Sequence, residues 1–79
     1  VWYFLIRHDS VSTAQYQNLQ QRASLTEVEL FSEPYINWYV FSVEKQHYIA
    51  FMNYLDGEGI SYDLTADRPS RDDLLAAMR

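Results

Sequence analysis

Between residues 35 and 55 (YINWYVFSVEKQHYIAFMNYL) the apolar side chains change their period within about two positions, and that change restricts what the chain can become. Residues 36–43 are aromatic and β-branched on both alternations, the pattern of a strand covered on both faces. Residues 44–55 then place Tyr48, Phe51, Met52 and Leu55 on one helical stripe, widened by Ile49 and Tyr54. A doubly covered strand running straight into the main core helix needs further strands beside it and further layers above and below.

The rest of the chain supplies them. Residues 1–8 (VWYFLIRH) alternate Trp2, Phe4, Ile6 and His8 against Tyr3, Leu5 and Arg7. Both sets carry apolar groups, so this is a second central strand. Asp9 and Ser10 break the run, and Ser12 with Gln15 fits a capping box, with Val11 and Tyr16 placed as a hydrophobic staple. The helix that follows carries Tyr16, Leu19 and Ala23 among glutamines, a thin stripe that packs on one side only.

Residues 25–31 (LTEVELF) set Thr26, Val28 and Leu30 against Glu27, Glu29 and Phe31, a half-exposed strand expected to point both carboxylates at solvent. Ser32, Glu33 and Pro34 form a turn, so this strand and the next make a hairpin. Asp56-Gly57-Glu58-Gly59 ends the core helix, with Gly57 expected at the left-handed C′ position. Ile60, Tyr62 and Leu64 alternate with Ser61, Asp63 and Thr65 in a short edge strand. Ser70 then caps a last helix, with Asp72 and Asp73 near its start and Arg79 at its end, as the helix dipole prefers.

Strand, helix, strand, strand, helix, strand is the order of the α+β ferredoxin-like split βαβ fold: βαββαβ, a four-stranded antiparallel sheet with two helices on one face. The first and third strands lie in its centre, in agreement with their two-sided hydrophobicity. Residues 1–66 make the domain, and residues 67–79 append a short C-terminal helix that must dock on the domain, on a second copy or on a partner.

Seventy-nine residues make a single domain with a marginal core. There is no cysteine, so disulfides and thiolate metal sites are excluded and packing must supply the stability. The lack of disulfides points to a cytoplasmic setting. No apolar run approaches the roughly 18 residues of a membrane span, and residues 1–6 lack the basic leader and cleavage site of a signal peptide. A first residue that is Val and not Met fits processing, trimming or excision from a longer protein.

Eleven acidic against six basic residues give a net charge of −5. That disfavours nucleic acid, whose phosphates need clustered Lys and Arg, and favours a basic partner where there is a charged one.

Catalytic signatures dissolve on inspection. His8, Asp9 and Ser10 are consecutive and cannot converge as a triad must. Glu44 and His47 have a metal-ligand spacing, but no further ligand set accompanies them. Asp56-Gly57-Glu58-Gly59 is too short for a calcium loop and follows a helix where a phosphate site would precede one. No enzyme activity and no cofactor or metal is expected.

What remains is aromatic surface. Two central strands cannot hide every ring under two helices, and a large bare patch of this kind marks an interface. Either alternation of each central strand can face outward, on the third strand Ile36, Trp38 and Val40 or Asn37, Tyr39 and Phe41; the expected partner-binding residues are Tyr3, Leu5, Tyr39 and Phe41 for the open face, Glu27 and Glu29 on the neighbouring strand, and Leu74, Leu75 and Met78 on the last helix. They suit a non-enzymatic regulator or inhibitor that binds a larger, basic-surfaced protein. The same face also suits a homodimer packed sheet against sheet; a dimeric small-ligand-binding regulatory domain is the alternative function, an RNA-binding domain the third reading, and a tail helix that folds back to complete the core the plainest one.

Overall fold

A computed structural model describes residues 1–78. The elements are β1 (Trp2–Arg7), α1 (Thr13–Arg22), β2 (Leu25–Glu29), β3 (Trp38–Val43), α2 (Tyr48–Glu58), β4 (Asp63–Thr65) and α3 (Arg71–Ala77). Short 3-10 turns at His8–Ser10 and Lys45–His47 lead into α1 and α2. The sheet order is β2-β3-β1-β4 and all three pairings are antiparallel. This is the ferredoxin-like α+β arrangement with an added C-terminal helix, and β1 and β3 are its central strands.

Register decides which side chains meet. Trp2, Phe4 and Ile6 stand opposite Val43, Phe41 and Tyr39. Directly opposed residues share a face, so both sets point the same way. Leu19 of α1 and Phe51 and Leu55 of α2 close over them, and Phe4, Phe41 and Phe51 form a tilted aromatic cluster with centroids 4.6 to 5.6 Å apart. Tyr3, Leu5 and Arg7, opposite Ser42, Val40 and Trp38, take the other face. There α3 lays Leu74 on Leu5, Trp38 and Val40, with Tyr3, Phe31, Ile36 and Met78 around the edge. The sheet is thus roofed on both sides, by α1 and α2 on one and by α3 on the other.

Local chemistry starts and stops the helices. Ser12 and Gln15 form the expected capping box, the serine Oγ accepting from Gln15 N–H at 3.2 Å while Gln15 Oε1 accepts from Ser12 N–H at 2.9 Å. Ser70 and Asp73 repeat the device at α3, at 3.1 and 3.0 Å. The expected role of Arg79 at the end of α3 lies outside the described residues.

Two expectations about α2 need correction. Residues 44–47 are exposed and mostly in the 3-10 turn, and the helix begins at Tyr48. Gly57 is not the left-handed C′ residue: it lies within the helix, and Gly59 takes that position with φ 69°. Carrying the helix on to Glu58 lets Gly59 N–H donate to Asp56 C=O at 3.2 Å and Ile60 N–H donate to Leu55 C=O at 2.9 Å. This swings Ile60 back into the core, where it is 5% exposed.

Candidate functional site

Tyr3, Leu5, Tyr39 and Phe41 are expected together on one open sheet face. The structure separates them. Tyr3 and Leu5 lie on the α3 face, whereas Tyr39 and Phe41 lie under α1 and α2, and Phe41 is fully buried. The reason is the β1–β3 register, which puts Phe41 opposite the inward-facing Phe4 and Tyr39 opposite Ile6. Tyr39 stacks on Tyr16 with centroids 4.5 Å apart, and burial first, then that neighbour, raises the pKa of its hydroxyl. The aromatics that belong with Tyr3 and Leu5 are Trp38 and Phe31, neither of which was among the expected site residues. Trp38 was one member of a strand whose two alternations are equally apolar, so its direction depended on the ladder.

Glu27 and Glu29 also depart from expectation. They stand opposite Val40 and Trp38, hence on the α3 face, and they do not simply face solvent. Arg68, in the segment between β4 and α3, donates from Nε to Glu27 Oε1 at 3.0 Å and from Nη2 to Glu27 Oε2 at 2.9 Å. The same Nη2 donates to Glu29 Oε1 at 3.1 Å, and Arg71 Nη1 reaches Glu29 Oε2 at 3.2 Å. Arg68 Nη1 donates to the Pro69 carbonyl, which turns the guanidinium toward the strand. Arg71 lies over the Phe31 ring, 4.3 Å from its centroid.

Two carboxylates two residues apart on one strand face therefore receive a planar, forked donor and a second cation behind it. A fork-to-carboxylate match of this kind gives geometric selection as well as attraction. The hydrogen bond from Arg68, with its charge, holds the Glu27 carboxyl below the usual glutamate range against a smaller opposing effect of burial. The pKa of Arg68 rises in turn, chiefly through its bond to Glu27.

The three expected residues of α3 divide unevenly. Leu74 is buried at 2% exposure and is the anchor. Leu75 is half-buried, and half-buried Met78 packs at the rim of that cluster, where Trp38 Nε1 lies 3.0 Å from its sulfur. Pro69, just before the cap, is buried as well. So α3 is fixed by an apolar contact through Leu74 and a charged contact through Arg68 and Arg71, one on either side of its N-cap.

The other sequence-level candidates take structural places. His8, Asp9 and Ser10 form the turn after β1, where His8 N–H donates to Asn37 C=O at 3.0 Å and Arg7 pairs loosely with Asp9 at 3.5 Å. Glu44 and His47 flank the exposed turn before α2. Among the described residues, no group of three or more His, Cys, Asp or Glu side chains is placed to hold a metal ion. No helix among them is long and apolar enough to cross a membrane.

No known family model matches the chain, and neither a curated protein nor a solved structure matches it.

Proposed function

We propose that the chain is a non-enzymatic interaction domain that binds a basic-surfaced protein through the sheet face beneath α3, with α3 as its displaceable cover. One observation carries this reading: a wide apolar floor, Tyr3, Leu5, Trp38 and Val40, is roofed only by a seven-residue helix. A helix that short has no independent stability and holds its shape only while docked. Its fastening is buried Leu74 and Pro69, the contact of Met78 on Trp38, and an ionic cluster whose side chains are between about a fifth and a little over half exposed, open to exchange with another cation.

The rim of that floor selects for charge. Glu27 and Glu29 accept guanidinium groups already, so a partner that brings an arginine next to an apolar helix face can make the contacts of Arg68 and Leu74 in their place. Excess negative charge elsewhere on the chain speeds and orients the approach of such a partner. Regulator or inhibitor of a larger basic protein is the concrete form of the proposal, and a cytoplasmic setting belongs to it.

The test uses the tail as the model ligand. In the Leu74→Asp chain the cover is undocked, and a labelled synthetic peptide of residues 67–79 should bind it saturably. Binding should weaken with salt, and should weaken by roughly tenfold when Glu27→Gln and Glu29→Gln are added. The wild-type chain, with its own helix in place, should take up much less peptide. Absence of saturable binding to Leu74→Asp, in a chain whose circular dichroism shows it folded, refutes the proposal.

A further inference from the structure

At one end of the sheet a cavity of about 420 Å³ opens between the tip of α3 and the connection from β2 to β3. Pro34, Tyr35 and Ile36 of that connection make one wall, and Trp38 with Met78 makes the other. A smaller hollow of about 100 Å³ adjoins it, sharing Arg7, Trp38 and Asp63 and running past Leu5. The walls are held in place. Asn37 pins the connection, its side-chain oxygen accepting from Phe31 N–H at 2.8 Å and its carbonyl from His8 N–H at 3.0 Å. Tyr35 N–H donates to Ser32 C=O at 3.0 Å, and Trp38 is buried with its indole on the Met78 sulfur. A pocket whose lining is already ordered loses little freedom when it is filled.

Two charged groups stand at this cavity, and their signs are opposite. Arg7 lies across the β1–β3 ladder from Trp38, and Asp63 lies across the β1–β4 ladder from Leu5. Leu5 and Arg7 are two apart on one strand, so the guanidinium and the carboxylate share the α3 face. They are diagonal neighbours, a separation of about 7–8 Å between backbones. Among the described residues no ion pair joins them, and none gives Asp63 another cation. Arg7 has only a loose contact with Asp9, at 3.5 Å and with both side chains about half exposed.

We infer that this cavity is a binding site for a free α-amino acid with a large apolar side chain. Such a molecule carries its carboxylate and its ammonium on one carbon. It can set the first on the Arg7 fork and the second on Asp63 while its side chain enters between Tyr35, Ile36, Trp38 and Met78. A simple anion or cation would satisfy one of the two groups and be repelled by the other. A purely apolar ligand would strip water from both charges and return nothing. The zwitterion is neutral overall, so the chain's charge of −5 does not repel it. The site uses α3 in its docked position, through Met78, and does not depend on that helix being displaceable.

The experiment is a titration of the isotope-labelled full chain with L-phenylalanine and with L-leucine, followed by NMR at the Trp38 indole N–H and the Met78 methyl. Saturable shifts at both groups are expected, with a Kd of about 0.1–1 mM for so small a ligand. Phenethylamine lacks the carboxylate, 3-phenylpropionate lacks the ammonium and L-alanine lacks the large side chain; each should bind about tenfold or more weakly than L-phenylalanine. Arg7 and Asp63 are exposed, so their neutral replacements should leave the fold intact. Arg7→Gln should bind L-phenylalanine no better than phenethylamine, and Asp63→Asn should bind it no better than 3-phenylpropionate. Asp9→Asn, which frees Arg7 from its loose partner, should keep or raise the affinity. No saturable shift with either amino acid up to about ten times that Kd overturns the inference. So does equal binding of L-phenylalanine and its singly charged analogues, or a loss in Asp9→Asn that matches the loss in Arg7→Gln.

Discussion

Arg68 closes on Glu27 from forty-one positions further along the chain, with Nε and Nη2 each within 3.0 Å of a different carboxylate oxygen. The contact ties the connection before α3 to an edge strand and so holds the cover of the sheet in register. Both side chains remain about a third exposed, so solvent screens the pair and its worth is limited. Arg68→Ala should weaken the docking of α3 by on the order of 1 kcal/mol. Trp38, whose indole touches Met78, reports it: in a Trp2→Phe background its emission should shift to the red. Glu27→Gln should give a similar shift, and the double variant should show less than the sum of the two. Arg68→Lys should recover only part of the loss, because an ammonium cannot fork across a carboxylate and reach Glu29 as well. Strict additivity would show that the ion pair does not hold the helix.

Acid should loosen the same cover. The folded chain keeps the Glu27 carboxyl below its ordinary value of 4.5, through the Arg68 bond, and the Asp73 carboxyl below 3.8, through the Ser70 backbone N–H and then its hydroxyl. A group whose pKa is lower in the docked state stabilises that state fully at pH above its undocked value. The contribution is lost as pH falls through the docked one. Trp38 emission should therefore be flat down to the ordinary carboxylate range and shift to the red below it, in the Trp2→Phe chain. Glu27→Gln should flatten the upper part of that transition. A shift that sets in near neutrality would assign the change to other groups.

The two roofs of the sheet should fail differently. Leu55 of α2 is fully buried among Phe4, Phe41 and Phe51, and Leu55→Ala should cost about 2–5 kcal/mol of global stability, as large-to-small changes in a core do. Leu74 is almost as buried, at 2%, but sits on a terminal helix that can leave alone. The loss in Leu74→Ala is then capped by the docking energy of α3, because undocking relieves the cavity. Leu74→Asp should expose Trp38 while amide exchange in β1, β3, α1 and α2 stays slow, whereas Leu55→Asp should unfold the whole chain. Cooperative loss of all amides in Leu74→Asp would make α3 an integral part of the core.

The framework of the fold was legible because it rests on local patterns. The two-sided runs in β1 and β3 marked the central strands, Ser12 and Gln15 marked the start of α1, and Tyr48, Phe51, Met52 and Leu55 marked the buried side of α2. What escaped was non-local. In residues 36–43 the alternations Ile36, Trp38, Val40 and Tyr39, Phe41, Val43 are both apolar, so period alone cannot say which goes inward. Pairing with Phe4 settles it. Glu27 and Glu29 read as solvated charges because their cations lie at the far end of the chain. A signal was present: Arg68 and Arg71 at helical spacing just ahead of an apolar turn, and two carboxylates on one strand face.

Gly57 and Gly59 offer a test in which two similar substitutions should have opposite signs. Gly57 lies inside α2, and a Cβ there would meet nothing within 4 Å. Gly57→Ala should raise stability by up to about 1 kcal/mol, since alanine restricts the unfolded chain and is the better helix former. Gly59 sits at φ 69°, the left-handed conformation that ends the helix and turns Ile60 into the core. Space is open there too, so the penalty for Gly59→Ala comes from the backbone alone, about 1–2 kcal/mol. Chemical denaturation of the two variants beside the wild type measures both. If Gly57→Ala proves the destabilising change and Gly59→Ala the neutral one, the helix ends two residues earlier than described and Ile60 reaches the core by another route.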